Sequence, residues 1–268
     1  MNNNQVIEVF KRLKDTGKKA FIPYITAGDP NLKQTLEILD FFANNGADII
    51  ELGVPFSDPM ADGPVIQRAM ERALKSGTTL KKILQTIKDF KDRYSVPIVL
   101  MGYYNPFWAF GIDDFAKAAR DAGVDAVLTV DLPPEEAKGF TVLLKNEGIT
   151  PIFLATPVTD EKRLLKIRGV AAGFIYFVSV TGVTGERYAL PEDTEEKVGW
   201  IKRNIELPLV LGFGISSPKI IHEFYLSVDG FVVGSALVRR WERACLSEEG
   251  ISEFRIFFIE MAQACHRE

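Results

Sequence analysis

Apolar positions along this chain follow two rhythms. Short runs that are apolar at every position, such as Ile98-Val99-Leu100-Met101, read as strands buried on both faces, the pattern of a parallel sheet. Eight strands are predicted, near residues 20 to 26, 47 to 52, 97 to 101, 125 to 130, 150 to 155, 173 to 178, 208 to 211 and 230 to 233. Between them the apolar spacing becomes helical, at 32 to 44, 64 to 93 with a break at Gly77-Thr78-Thr79, 113 to 121, 134 to 147, 160 to 168, 192 to 204 and 217 to 226. A helix over 3 to 15, with Val6, Ile7, Phe10 and Leu13 on one face, is expected to plug or cover one end of the fold, and a helical region from 235 to 265 closes the chain. This alternation predicts an α/β protein, a (β/α)8 TIM barrel with an N-terminal helix and extra helices. An open doubly wound sheet is the alternative. No stretch of about 15 residues reads as a linker, so residues 1–268 are expected to form a single domain. One cadence returns, at Gly46-Ala47-Asp48-Ile49, Gly123-Val124-Asp125-Ala126 and, loosely, Ser227-Val228-Asp229-Gly230, and such recurrence implies repeated architecture.

Composition narrows the function. With 47% hydrophobic and 25% charged residues and a net charge of −4, the chain shows neither a basic nucleic-acid surface nor an acidic disordered tail. The start, Met-Asn-Asn-Asn-Gln-Val, has no basic region followed by an apolar run, which argues for a cytoplasmic location. Cys245 and Cys265 fall in the last helical region and read as structural thiols.

Small residues end the last three strands: Gly182-Val183-Thr184-Gly185, Gly212-Phe213-Gly214-Ile215-Ser216 and Gly234-Ser235. In a barrel these loops and a helix N-terminus build a phosphate site. Ser235 is expected to cap that helix and donate to the phosphate. No Walker sequence or dinucleotide fingerprint accompanies the glycines, so a phosphomonoester substrate is expected rather than a nucleotide.

The strand-end inventory removes several mechanisms. No lysine lies in a predicted strand, which argues against a Schiff base. Only His222 and His266 are present, both on predicted helices, which argues against a histidine-rich metal site or a serine triad. Carboxylate acid/base chemistry survives. Glu51 ends the second strand beneath the Pro- and Gly-rich stretch Val54-Pro55-Phe56-Ser57-Asp58-Pro59-Met60-Ala61-Asp62-Gly63. A loop that excludes water would raise its pKa enough to hold and return a proton, and closure would bring Asp62 to the substrate. Asp58 reads as a turn former, with partner contact as the alternative. Asp131, in Val130-Asp131-Leu132-Pro133, is either a loop anchor for the following helix or a substrate contact. Tyr176 and Tyr103 are either packed rings or donors to substrate or acid. Phe213, between two glycines, would offer a face to an aromatic substrate.

The run from Glu51 to Gln67, Glu-Leu-Gly-Val-Pro-Phe-Ser-Asp-Pro-Met-Ala-Asp-Gly-Pro-Val-Ile-Gln, resembles the signature of the tryptophan synthase α subunit family. Pro23-Tyr24-Ile25-Thr26-Ala27-Gly28-Asp29-Pro30, Met101-Gly102-Tyr103-Tyr104-Asn105-Pro106, Asp131-Leu132-Pro133, Gly182-Val183-Thr184-Gly185 and Gly212-Phe213-Gly214-Ile215-Ser216 follow in family order, from about residue 20 to 240. The resemblance implies retro-aldol cleavage of indole-3-glycerol phosphate to indole and glyceraldehyde 3-phosphate, with no cofactor or metal in this subunit. It casts Glu51 as the acid/base at the indole C3 and side-chain hydroxyl, and Asp62 as the group that polarises the indole N–H. Tyr176 matches a pocket tyrosine beside Glu51, and Gly185, Gly214, Gly234 and Ser235 match phosphate-binding positions. Thr184 would meet Asp62 when the loops close. It also implies a pyridoxal-phosphate β subunit that receives indole within an αββα heterotetramer. Val180 stands where some members carry an arginine, a departure that touches lid behaviour. A neighbouring phosphate-binding barrel would need other strand-end acids. A degenerate α subunit that only activates its partner, or a stand-alone lyase, would keep the same residues.

Overall fold

Eight parallel strands close on themselves in sequence order in the computed structural model, which describes residues 5–178 and 193–267. They are β1 (Ala20–Thr26), β2 (Ile50–Gly53), β3 (Ile98–Gly102), β4 (Ala126–Thr129), β5 (Thr150–Ala155), β6 (Ile175–Val178), β7 (Leu209–Gly212) and β8 (Gly230–Val233), and β1 pairs with β8 to complete the barrel. The helices are α1 (Gln5–Asp15), α2 (Leu32–Asn44), α3 (Pro64–Lys75), α4 (Leu80–Lys91), α5 (Tyr104–Phe110), α6 (Ile112–Ala122), α7 (Lys138–Asn146), α8 (Glu161–Val170), α9 (Thr194–Asn204), α10 (Pro218–Phe224), α11 (Ser235–Ala244) and α12 (Glu248–Cys265). No described helix is long and apolar enough to cross a membrane.

Strand residues sort by parity, because successive side chains leave opposite faces of a strand. Ala20, Ile22 and Tyr24 of β1, Val99 and Met101 of β3, and Tyr176 and Val178 of β6 belong to an interior cluster. Phe21 and Ile25, Ile98 and Leu100, and Ile175 and Phe177 pack outward against the helices. Val6, Phe10 and Leu13 of α1 join the interior cluster, with Phe10 5.5 Å from Phe174 just before β6. The first helix therefore plugs the end where the strands begin. Local chemistry sets the helix starts: Asn31, Thr79, Asp160 and Ser247 each accept a backbone N–H of the first turn of α2, α4, α8 and α12, groups that otherwise lack partners.

The recurring aspartates share one task. Asp48, Asp125 and Asp229 stand just before β2, β4 and β8, and each accepts a backbone N–H from the start of the preceding strand: Phe21 at 3.0 Å, Ile98 at 2.8 Å and Leu209 at 2.7 Å. Each also meets a basic side chain: Arg12 and the His266 ring lie at Asp48, Lys91 at Asp125 and Lys202 at Asp229.

The structure departs from the expected elements in three places. Helix α5 was not among the expected elements; Pro106 sits in its first turn, where proline lacks only an N–H that has no partner there anyway. The helix expected from residue 134 begins at Lys138, after a turn that Pro133 and Pro134 open. Cys265 is buried, whereas Cys245 is exposed.

Candidate active site

The same parity that fills the barrel places a carboxylate inside it. Ile49 points into the interior cluster, and Glu51 follows two residues later with 1% of its surface exposed. Neither carboxylate oxygen has a hydrogen-bond partner among the described residues. Burial without compensation favours the neutral form; it pushes the pKa of Glu51 up to about 8, and the nearby charge of Asp62 acts in the same direction. Tyr24 lies opposite Glu51 in the β1/β2 register, its hydroxyl 3.2 Å from that of Thr26. A Cβ at Gly53 would fall 2.2 Å from the Tyr24 oxygen, so the glycine after Glu51-Leu52 makes room for this ring.

The loop between β2 and α3 carries Asp62 back over the barrel. Two short backbone bonds fold it, Met60 to Asp58 at 2.9 Å and Asp62 to Pro59 at 3.0 Å, and the Asp62 side chain ends 4% exposed. The Tyr103 hydroxyl donates to Asp62 Oδ2 at 2.7 Å and accepts the Ala61 N–H at 2.9 Å. Burial raises the pKa of Asp62 to about 6 against the opposing hydrogen bond from Tyr103. Asp58 and Met60 face outward, Met60 with 80% of its surface exposed, and Asp58 accepts a hydrogen bond from the adjacent Ser57.

Glu51 and Asp62 meet in one cavity with Tyr176, Phe213, Gly214, Gly234 and Ser235. It holds ≈ 440 Å³ of empty space counted to its mouth. At one end Phe213 adopts a left-handed backbone conformation, φ 68°, next to Gly214 at φ 77°, a conformation that costs a non-glycine residue free energy. The turn sets the Phe213 ring edge-on to Tyr176 at 6.0 Å. Gly212 is required by the same packing, since a Cβ there would lie 2.2 Å from the Tyr176 ring. Beyond these rings Gly214, Gly234, Ser235 and Ala236 open toward the start of α11, where first-turn N–H groups and the helix dipole favour an anion.

Several expectations need correction or completion. Ser235 is not the cap of α11: Gly234 holds that position without a side-chain hydrogen bond, and Ser235 is the first helical residue on the cavity wall. Asp131 accepts the Tyr104 N–H at 2.7 Å, so it anchors the start of α5 rather than the helix that follows it. Tyr103 reaches the site through Asp62 and is not on the cavity wall. Thr184, Gly185 and Val180 lie outside the described residues. Tyr24, Ile66 and Met101 also line the cavity and were not anticipated. For Tyr24 and Met101 the available signal was parity with Ile22 and Val99 near strand C-termini. Among the described residues no group of three or more His, Cys, Asp and Glu side chains is placed to hold a metal ion.

The chain matches known proteins in sequence and in fold. The family model described as "Tryptophan synthase alpha chain" matches residues 10–266. A tryptophan synthase alpha chain of Geobacter sulfurreducens is 50% identical over 247 residues, 92% of this chain and 94% of that one. The crystal structure of tryptophan synthase subunit alpha from Legionella pneumophila superposes with a TM-score of 0.90 at 37% identity, covering 98% of both chains. A chain from the tryptophan synthase a2b2 complex of Pyrococcus furiosus gives a TM-score of 0.83 at 38% identity over 91% of this chain and 98% of its own. The chain belongs to the tryptophan synthase alpha chain family.

Proposed function

We propose that Glu51 and Asp62 are the acid/base pair with which this chain cleaves indole-3-glycerol phosphate to indole and glyceraldehyde 3-phosphate, the reaction of its family. The observation that carries the assignment is a buried carboxyl at a strand end with no hydrogen-bond partner among the described residues and a pKa near 8. At neutral pH Glu51 holds a proton. It delivers that proton to C3 of the indole ring while Asp62, ionised above about pH 6, accepts the hydrogen bond of the ring N–H and draws off its charge as the indolenine forms. The carbon–carbon bond then breaks: Glu51 takes the proton of the neighbouring side-chain hydroxyl, the aldehyde leaves, and the bonding electrons restore the indole ring. Each general acid or base step contributes about 10²- to 10⁴-fold. Tyr176 and Phe213 shape the aromatic end of the cavity, and Gly214, Gly234 and Ser235 receive the phosphate.

The chain carries no cofactor in this reading. Its partner is a tryptophan synthase β subunit that holds pyridoxal phosphate and takes up the indole, in an αββα heterotetramer. The relative from Pyrococcus furiosus in an a2b2 complex supports the partnership. Outward-facing Asp58 and Met60 sit on the loop that carries Asp62, so a partner docking there would act directly on the acid pair. Indole release from indole-3-glycerol phosphate, with and without a β subunit, tests the assignment. Native chain should be weakly active alone and strongly stimulated by β, and Glu51→Gln should abolish release. Normal turnover in Glu51→Gln would remove Glu51 from the mechanism, and a native chain inactive in both conditions that still stimulates β would make it a regulatory subunit.

A further inference from the structure

A second cavity lies at the opposite end of the barrel, where the strands begin. It runs between α1, the turn after it and the segment that leads from α9 into β7. Its empty space is ≈ 1150 Å³ counted to the mouth, against ≈ 440 Å³ for the active-site cavity, which leaves room for a small molecule. Five lysines line it, Lys11, Lys14, Lys18, Lys19 and Lys202, against two carboxylates, Glu206 and Asp229. This concentration of positive charge sits in a protein of net charge −4.

The carboxylates do not neutralise it. Asp229 is engaged by Lys202 and by the Leu209 N–H, and Lys11 pairs with Glu8 on the surface of α1 at 2.9 Å. Lys14, Lys18 and Lys19 have no carboxylate within ion-pairing distance among the described residues. Lys19 is partly buried, its ammonium 5.4 Å from the centre of the Tyr225 ring. Burial holds its pKa below the ordinary lysine range, Asp229 opposes this and Lys202 adds to it. The floor is apolar: Ile7 and Leu207 are accessible there, backed by the buried Phe10 and Leu13 of the interior cluster. Ammonium groups over an apolar floor match an anionic head on a flat apolar body, and lysine suits phosphate as a compact donor of several hydrogen bonds.

We propose that this cavity is a binding site for a small organic phosphate, its phosphate groups held by Lys14, Lys18 and Lys19 and its apolar body resting on Ile7 and Leu207. The site is separate from the active-site cavity and shares no residue with it.

Titration calorimetry with adenosine diphosphate and with inorganic pyrophosphate at low salt tests it, with the chain carrying Ser235→Asp so that added negative charge closes the phosphate end of the active site. The expected result is saturable binding of one adenosine diphosphate per chain, tighter than pyrophosphate. Lys18→Met with Lys19→Met should weaken it about tenfold or more, as loss of charge-assisted bonds requires. Bound adenosine diphosphate should also protect Lys14, Lys18 and Lys19 from acylation, read by mass spectrometry. Absence of saturable binding, affinity unchanged by the double substitution, or protection confined to other lysines would overturn the proposal. Equal affinity for pyrophosphate would overturn the role of the apolar floor.

Discussion

Replacing Glu51 by glutamine should stabilise the protein while silencing it. Glu51 is the buried acid whose ionisation the fold opposes: its pKa rises from 4.5 in the unfolded chain to about 8 in the native one. The unfolded chain therefore releases a proton through pH 4.5 that the native state retains until about pH 8. Native stability falls across that window and levels off above it. The full shift corresponds to about 5 kcal/mol at 1.36 kcal/mol per pKa unit, and relaxation or water entry in the ionised state leaves about 3 to 5 kcal/mol. Glutamine keeps the shape and leaves the same two buried atoms, without a charge to expose to this penalty. Glu51→Gln and native protein should thus unfold together near pH 4.5, whereas at pH 8.5 the variant should melt about 10 °C higher, at roughly 2 to 4 °C per kcal/mol. Differential scanning calorimetry between pH 4.5 and 8.5 would show the two curves diverging. A difference that does not change with pH, or a variant less stable at pH 8.5, would refute the claim that Glu51 is held protonated by uncompensated burial.

Other substitutions probe the groups around this acid. Tyr103→Phe removes the hydrogen bond that opposes the rise of Asp62's pKa, so the acid limb of the kcat/KM profile should move to higher pH, with activity at pH 6.5 falling about tenfold; an unchanged profile would show that Tyr103 does not hold Asp62. Gly212→Ala would place a methyl 2.2 Å from the Tyr176 ring; overpacking of about 1 to 3 kcal/mol should lower the melting temperature and cut kcat/KM at least tenfold, and normal kinetics would show that the ring can retreat. Arg72→Leu strips the buried Asp29 carboxylate of its two bonds from Nε at 2.7 Å and Nη2 at 2.8 Å. Urea unfolding should show a loss of about 3 kcal/mol at pH 7 that shrinks toward pH 4 as Asp29 protonates; equal losses at both values would mean that the carboxylate's charge is not the source.

The barrel and its acid were legible because both rest on repetition. Apolar runs at eight near-regular intervals leave few other architectures, and Glu51 interrupts such a run at the inward parity where a charge is costly. Tyr24 obeys that parity equally, but an apolar-looking tyrosine in an apolar strand offers no contrast. Ser235 was placed one position wrong because serine is a favoured cap, and Gly234 took the position instead. Helix α5, only seven residues long with Pro106 in its first turn, is too short to show a helical apolar period. The aspartate cadence was visible as a repeat, but its hydrogen bonds to neighbouring strands emerge only when the strands are side by side.

Those three aspartates also give the cylinder a grain. Each joins an odd-numbered strand to the even-numbered one after it, β1 to β2, β3 to β4 and β7 to β8. The fourth such couple, β5 and β6, has no stitch: two residues before the Phe153 and Ile175 pair stand Pro151 and Gly173, a proline without an N–H to offer and a glycine without a side chain to receive one. Three of the four odd-to-even couples are thus fastened at the base by a carboxylate, and among the described residues the fourth is not. The couple left without a stitch is the one whose second strand, β6, carries Tyr176 on the wall of the active site.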